Sequence, residues 1–184
     1  VDGFINDALR DIFQEYELPF SEKIFKGVVP SGATMIDFPD DVSALQSIMI
    51  ADVSGSGFNI RDDFLDFRTF NEYYRSPDTA PAGRIRNWTL YGNKMLFSAP
   101  TDADYSMTIY YNKVPQTLTQ DNQVPELPAE FEEALVLGAF YRVQFREGDS
   151  DEALVTKSEY QRKLEQMVSR YGFRINNGPI KMKN

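Results

Sequence analysis

The side chains best suited to chemistry in this chain are carboxylates. Asp62, Asp63 and Asp66 lie close in sequence, as do Glu130, Glu132 and Glu133. Two carboxyls facing each other across a cleft can act as acid and base on a glycosidic bond. The stretch Gly148-Asp149-Ser150-Asp151-Glu152 has the look of a calcium loop. It lacks the alternating ligand ladder and the closing Glu, so it reads as a helix start, where carboxylates oppose the helix dipole. Ser54-Gly55-Ser56-Gly57 precedes neither a Lys-Ser/Thr pair nor a helix, so it reads as a hairpin turn. With 28 acidic residues in the chain, clusters of this size arise by chance.

What is missing narrows the chemistry further. The chain has no Cys, which excludes disulfide frameworks, thiol catalysis and Cys-ligated metals. It has no His, which excludes Ser-His-Asp triads and most zinc sites. An enzyme built here would rely on carboxylates, Lys, Tyr or Ser, and neither a catalytic residue nor a cofactor is expected. Aromatic residues make up 14% of the chain. Tyr73, Tyr74, Tyr91, Tyr105, Tyr110 and Tyr111 are enough to line a sugar-binding face, with Trp88 beside them. Core and protein-interface roles are the commoner use of such residues.

The net charge is −9, from 19 basic and 28 acidic residues. A surface of this sign repels duplex DNA. The 184 residues suffice for one large domain or two small ones. No apolar run is long enough to span a membrane as a helix. The chain begins Val1-Asp2 without Met, and a trimmed start with a further helix before it is expected.

These residues need elements to hold them. Phe4, Ile5, Ala8, Leu9, Ile12, Phe13 and Tyr16 follow helical spacing, and Pro19 stops that helix. From residue 25 to 112 the period changes to two. Strands are expected over 25–29, 34–38, 45–53, 85–91, 94–98 and 105–111. Gly92-Asn93 makes a tight hairpin turn between two of them. Phe64, Phe67, Phe70, Tyr73 and Tyr74 have helical spacing, ended by Pro77. A helix over 129–147 is expected to end at Gly148. Asp149 and Glu152 form a capping-box-like pair before the last helix, whose stripe is Ala153, Tyr160, Leu164, Met167, Val168 and Tyr171. The fold class is therefore α+β. An N-terminal helix and a C-terminal helix pair form a helical domain (1–24 and 125–172), a β domain is inserted at 25–124, and 173–184 is an extended tail.

Several stretches, taken in order, resemble the head-to-tail adaptor (connector) proteins of tailed bacteriophages. Phe4-Ile5-Asn6-Asp7-Ala8 through Ile12 is similar to their "apolar-Asn-x-Ala-x-x-x-Ile" helix. Ile36-Asp37-Phe38-Pro39-Asp40-Asp41, followed by Ile48, is similar to their "Leu-Pro-x-Asp" entry to the β region. Tyr91 through Pro100 resembles their hairpin. Tyr110-Tyr111-Asn112-Lys113-Val114-Pro115, then Leu118, resembles their "Tyr-Tyr-x-x-Pro-x-x-Leu" strand. Leu127-Pro128, Glu133-Ala134-Leu135 and Gly138-Ala139 continue the match, and Asp149, Ala153, Tyr160 and Leu164 close it. The long stretch 58–85 departs from the pattern.

The resemblance implies a structural virion protein without catalytic residues. It implies a homo-oligomeric ring, usually of twelve copies, below the portal protein and above tail nozzle or tail-tube proteins. Packaged DNA would pass through its channel without specific binding. The expected site is the head-tail interface of the virion, assembled in the host cytoplasm, with no membrane partner. Leu135, Val136, Leu137, Gly138, Ala139, Phe140 and Tyr141 form a belt apolar nearly all round, wider than three helices can shelter, and are the expected ring interface. Phe173, Arg174, Ile175, Ile180, Lys181, Met182 and Lys183 are the expected portal-binding tail. A carbohydrate-binding β module of a phage tail or other extracellular protein is the alternative.

Overall fold

A computed structural model describes residues 2–16, 18–52, 54–120 and 122–172. The elements run α1 (Asp2–Glu15), β1 (Glu22–Val29), β2 (Met35–Asp37), β3 (Val42–Ala51), β4 (Gly57–Asn59), α2 (Phe67–Tyr73), β5 (Trp88–Tyr91), β6 (Lys94–Phe97), β7 (Tyr105–Lys113), α3 (Glu132–Glu147) and α4 (Ser150–Met167). A single π turn, Val168–Gly172, follows α4. The class is α+β, and the chain divides into two compact units. One comprises residues 1–22 and 113–184, the other residues 23–112. The expected tail, 173–184, lies outside the described residues.

In the helical unit, α3 packs against both α1 and α4. Ala8, Leu9, Ile12 and Phe13 of α1 meet Ala134 and Leu135 of α3 and Tyr160, Leu164 and Met167 of α4 in one core. Gly138 of α3 sits between Ala8 of α1 and Tyr160 of α4. A Cβ there would lie 2.9 Å from the Tyr160 ring and 3.0 Å from the Ala8 Cβ, so only glycine fits without displacement. Gly148 ends α3 with a left-handed φ of 96°. The Asp149 N–H then reaches the Gln144 carbonyl at 3.0 Å. Asp149 precedes α4, but its side chain makes no capping bond. The Asp149 N–H, which Glu152 would accept in a capping box, is already taken by the Gln144 carbonyl, and α4 opens with the ordinary bond from the Ala153 N–H to the Asp149 carbonyl at 2.9 Å.

The β unit holds two sheets. One has strand order β1-β7-β3-β4 and the other β2-β6-β5. The β5–β6 hairpin pairs Tyr91 with Lys94 across Gly92-Asn93, and Gly92 takes the positive φ of 58° that this turn demands. Ile48, Ile50, Met107, Ile109, Trp88, Met95 and Phe97 fill the core. The aromatic run after Phe58 departs from its helical expectation at the start. Phe64 bridges to Trp88 as extended chain, and α2 begins at Phe67. Asp66 explains the boundary, because its carboxylate accepts the Thr69 N–H at 3.1 Å.

Candidate functional site

Each candidate carboxylate has a structural place. Asp62 and Asp63 lie in an exposed turn, and Asp66 caps α2. Glu130 accepts from Arg170 at 2.5 Å and from the Tyr171 hydroxyl at 2.9 Å. Glu133 pairs with Lys163, while Glu132 lines a surface groove. Among the described residues no group of three or more carboxylates could hold a metal ion. The aromatic candidates separate in the same way. Trp88 is 1% exposed and donates its indole N–H to the Ile60 carbonyl at 2.5 Å, so no sugar can stack on it. Tyr91 is exposed and stacks on Phe67 with centroids 4.4 Å apart. Tyr105 and Tyr111 are buried, with hydroxyls donating to Asp102 at 2.5 Å and Asp41 at 2.7 Å.

The helical unit turns several large apolar side chains outward among its charged ones. The belt on α3 is divided: Leu135, Gly138 and Ala139 are buried by their own chain, Leu137 and Tyr141 are half-buried, and Val136 and Phe140 are 64% and 52% exposed. On α4, Leu154 and Val155 are 58% and 63% exposed. The sequence reading did not single out that pair, although both stand off the Ala153-Tyr160-Leu164 stripe. Val136 also lines a groove of about 340 Å³ with Ile5, Leu118, Pro125, Glu132 and Leu135. No helix among the described residues is long and apolar enough to cross a membrane.

The polar links fall on the residues of the family resemblance. The Asn6 side-chain amide donates to the Leu118 carbonyl at 2.9 Å, and the Leu118 N–H donates to the Asn6 amide oxygen at 2.8 Å. Asn6 thus acts as a one-residue strand neighbour for the segment after β7. Asp41, in the "Leu-Pro-x-Asp" stretch, receives the hydroxyl of Tyr111 and the ammonium of Lys23 at 2.6 Å. Burial pushes the Asp41 carboxyl up, but these two hydrogen bonds outweigh it and hold it below the usual carboxylate range. The Phe38 N–H reaches the Asn93 carbonyl in the hairpin at 2.9 Å. The quoted motifs therefore tie to one another across up to 112 residues of chain.

A family model described as the SU10 adaptor protein matches residues 1–182. The chain belongs to the SU10 adaptor protein family. The adaptor is accordingly a structural protein of tailed bacteriophages and a component of the virion, associating with portal and tail components. Family membership implies a structural role rather than a catalytic one. No curated protein matches the adaptor.

Proposed function

We propose that the adaptor closes into a ring of twelve copies that joins the portal to the tail and continues the DNA channel. One observation carries the reading: the helical unit exposes two different apolar faces, Val136 and Phe140 on α3 and Leu154 and Val155 on α4. A ring needs two unlike faces of one subunit to meet, and exposed patches of this kind mark interaction surfaces. The charges flanking them are opposite. Exposed Glu132 precedes Phe140 by eight residues on α3, and exposed Arg162 follows Leu154 by eight on α4. Antiparallel contact therefore sets Phe140 against Leu154 and Glu132 against Arg162 of the next copy, each pair ~12 Å from the other. Leu135, Gly138 and Ala139 serve the ring indirectly, by holding α3 in its own unit.

The same reading assigns residues 173–184, through Phe173, Arg174, Ile175, Ile180, Lys181, Met182 and Lys183, to the portal. Assembly takes place in the host cytoplasm. The negative charge of the chain suits a channel wall that lets DNA pass without holding it. The reading involves no catalytic step. It is tested by mixing adaptor with portal and measuring particle mass and density below the portal. Twelve added copies are expected for the native chain, and V136D or F140D should leave the adaptor monomeric and folded. Monomers only, with no density on the portal, would refute it.

A further inference from the structure

We propose that the outer edge of β1 docks an extended strand of a partner virion protein, one that sets an acidic residue between two apolar ones. In the order β1-β7-β3-β4, β1 has β7 on one side and, among the described residues, no strand on the other. Its outward N–H and C=O groups are therefore a template for a further strand. The other sheet edges are closed to this use. β2 (Met35–Asp37) and β4 (Gly57–Asn59) are three residues each. The outer edge of β5 is occupied at Trp88, whose carbonyl accepts the Leu65 N–H at 2.9 Å. β1 runs eight residues without proline, ~26 Å of edge.

The face beside that edge sets the chemistry. Ile24, Lys26 and Val28 alternate outward, with Ile24 56% and Val28 67% exposed. Lys23, on the other face, is taken by Asp41, while Lys26 has no ion pair among the described residues. Side chains directly opposite each other on neighbouring strands interact on one face. An added strand therefore matches β1 best with an apolar residue beside Ile24, an acid beside Lys26 and an apolar residue beside Val28. A second β1 matches it poorly. Opposite residues must share a face, which leaves two antiparallel copies two registers of long overlap. The one centred on Lys26 sets ammonium against ammonium, and the one centred on Phe25 sets Lys26 against Ile24 and Glu22 against Val28. Neither puts an acid opposite Lys26. The occupant is thus a different chain, and the portal and tail components with which the family associates supply it.

The probes are two fluorescent peptides, Thr-Val-Thr-Glu-Thr-Val-Thr and the same peptide with Lys in place of Glu, added to the full-length adaptor and to K26E. Anisotropy should show saturable binding of the acidic peptide to the native chain. K26E should weaken that binding about fivefold, and the basic peptide should prefer K26E over the native chain by a similar factor. The two peptides compared on the native chain give the same contrast without any substitution. Amide exchange in residues 22–29 should slow when the acidic peptide binds, and should be slower in particles assembled with portal and tail than in the free adaptor. No saturable binding, or binding blind to both charges, overturns the site. A native adaptor that sediments as a dimer, with exchange in 22–29 slowed in the dimer, puts a second copy on the edge and overturns the partner. Particles that carry a full ring of adaptors while residues 22–29 exchange as in the free chain overturn the docking in the virion and leave the ring standing.

Discussion

The two units of the adaptor hold themselves together by different means. In the helical unit cohesion comes chiefly from apolar side chains packed between helices, tightest around Gly138 between Ala8 and Tyr160, with the Asn6–Leu118 pair as a polar link. In the β unit the core is closed by polar clamps, two of them long-range, Tyr111 on Asp41 and Trp88 on the Ile60 carbonyl, and one local, Tyr105 on Asp102. The first design tolerates no added volume at the crossing. The second depends on the protonation of its clamps. Both leave apolar side chains outside, Val136, Phe140, Leu154 and Val155 in the helical unit and Ile24, Val28 and Met35 in the β unit. In the β unit two exposed rings also lean on neighbouring rings, Tyr91 stacked on Phe67 and Phe64 edge-on to Trp88.

The contrast can be broken or sharpened by substitution. Trp88→Ala should have the largest effect, about 4 kcal/mol, because it opens a cavity in the β core and removes the indole bond to the Ile60 carbonyl, leaving that carbonyl only the Asp63 N–H. Amide exchange read by mass spectrometry should show protection falling in residues 23–112 first. Equal loss in the helical unit would mean that the two cores do not fail separately. Gly138→Val should cost about 3 kcal/mol by overpacking, with exchange rising first in α1, α3 and α4. An unchanged denaturation midpoint would show that the crossing can relax.

Asn6→Ala removes both bonds to Leu118 and should cost about 2 kcal/mol in chemical denaturation. Asn6→Asp should restore only part, since a carboxylate accepts from the Leu118 N–H but cannot donate to its carbonyl. The smallest effect belongs to Tyr105→Phe, about 1 kcal/mol at neutral pH. Burial, and then the bond to Asp102, push the Tyr105 hydroxyl up to about 12. Its contribution is therefore complete below pH 10 and fades as pH rises toward 12. Melting temperatures of native and variant chains should converge over that window, and a constant gap would reject the clamp. Asp41 acts at the other end of the scale. Its carboxyl is held low, so its contribution is lost as pH falls below the ordinary carboxylate range.

The periodic features were legible in the chain itself. Helical spacing marked α1, α3 and α4, alternation marked β7, and Gly92-Asn93 and Gly148 marked a turn and a helix end. Each is a local rule, set by backbone geometry within a few residues. The start of α2 was misplaced because the spacing of Phe64 and Phe67 suits a helix, while pairing with Trp88 and the Asp66 cap set the boundary. At Asp149, local capping chemistry lost to a backbone bond that the turn after Gly148 had already positioned.

The candidate site was only half legible. The composition alone excluded thiol and imidazole chemistry, and the order of motifs pointed to the family, because residue types and their sequence are properties of the chain. Which half of the Leu135–Tyr141 belt faces inward is different. A helix apolar all round carries no mark of its buried side, and α1 and α4 decide it by where they pack, leaving Val136 and Phe140 outside. The bonds of Asn6 with Leu118 and of Asp41 with Tyr111 were equally out of reach, since each joins residues whose meeting depends on how the whole chain closes.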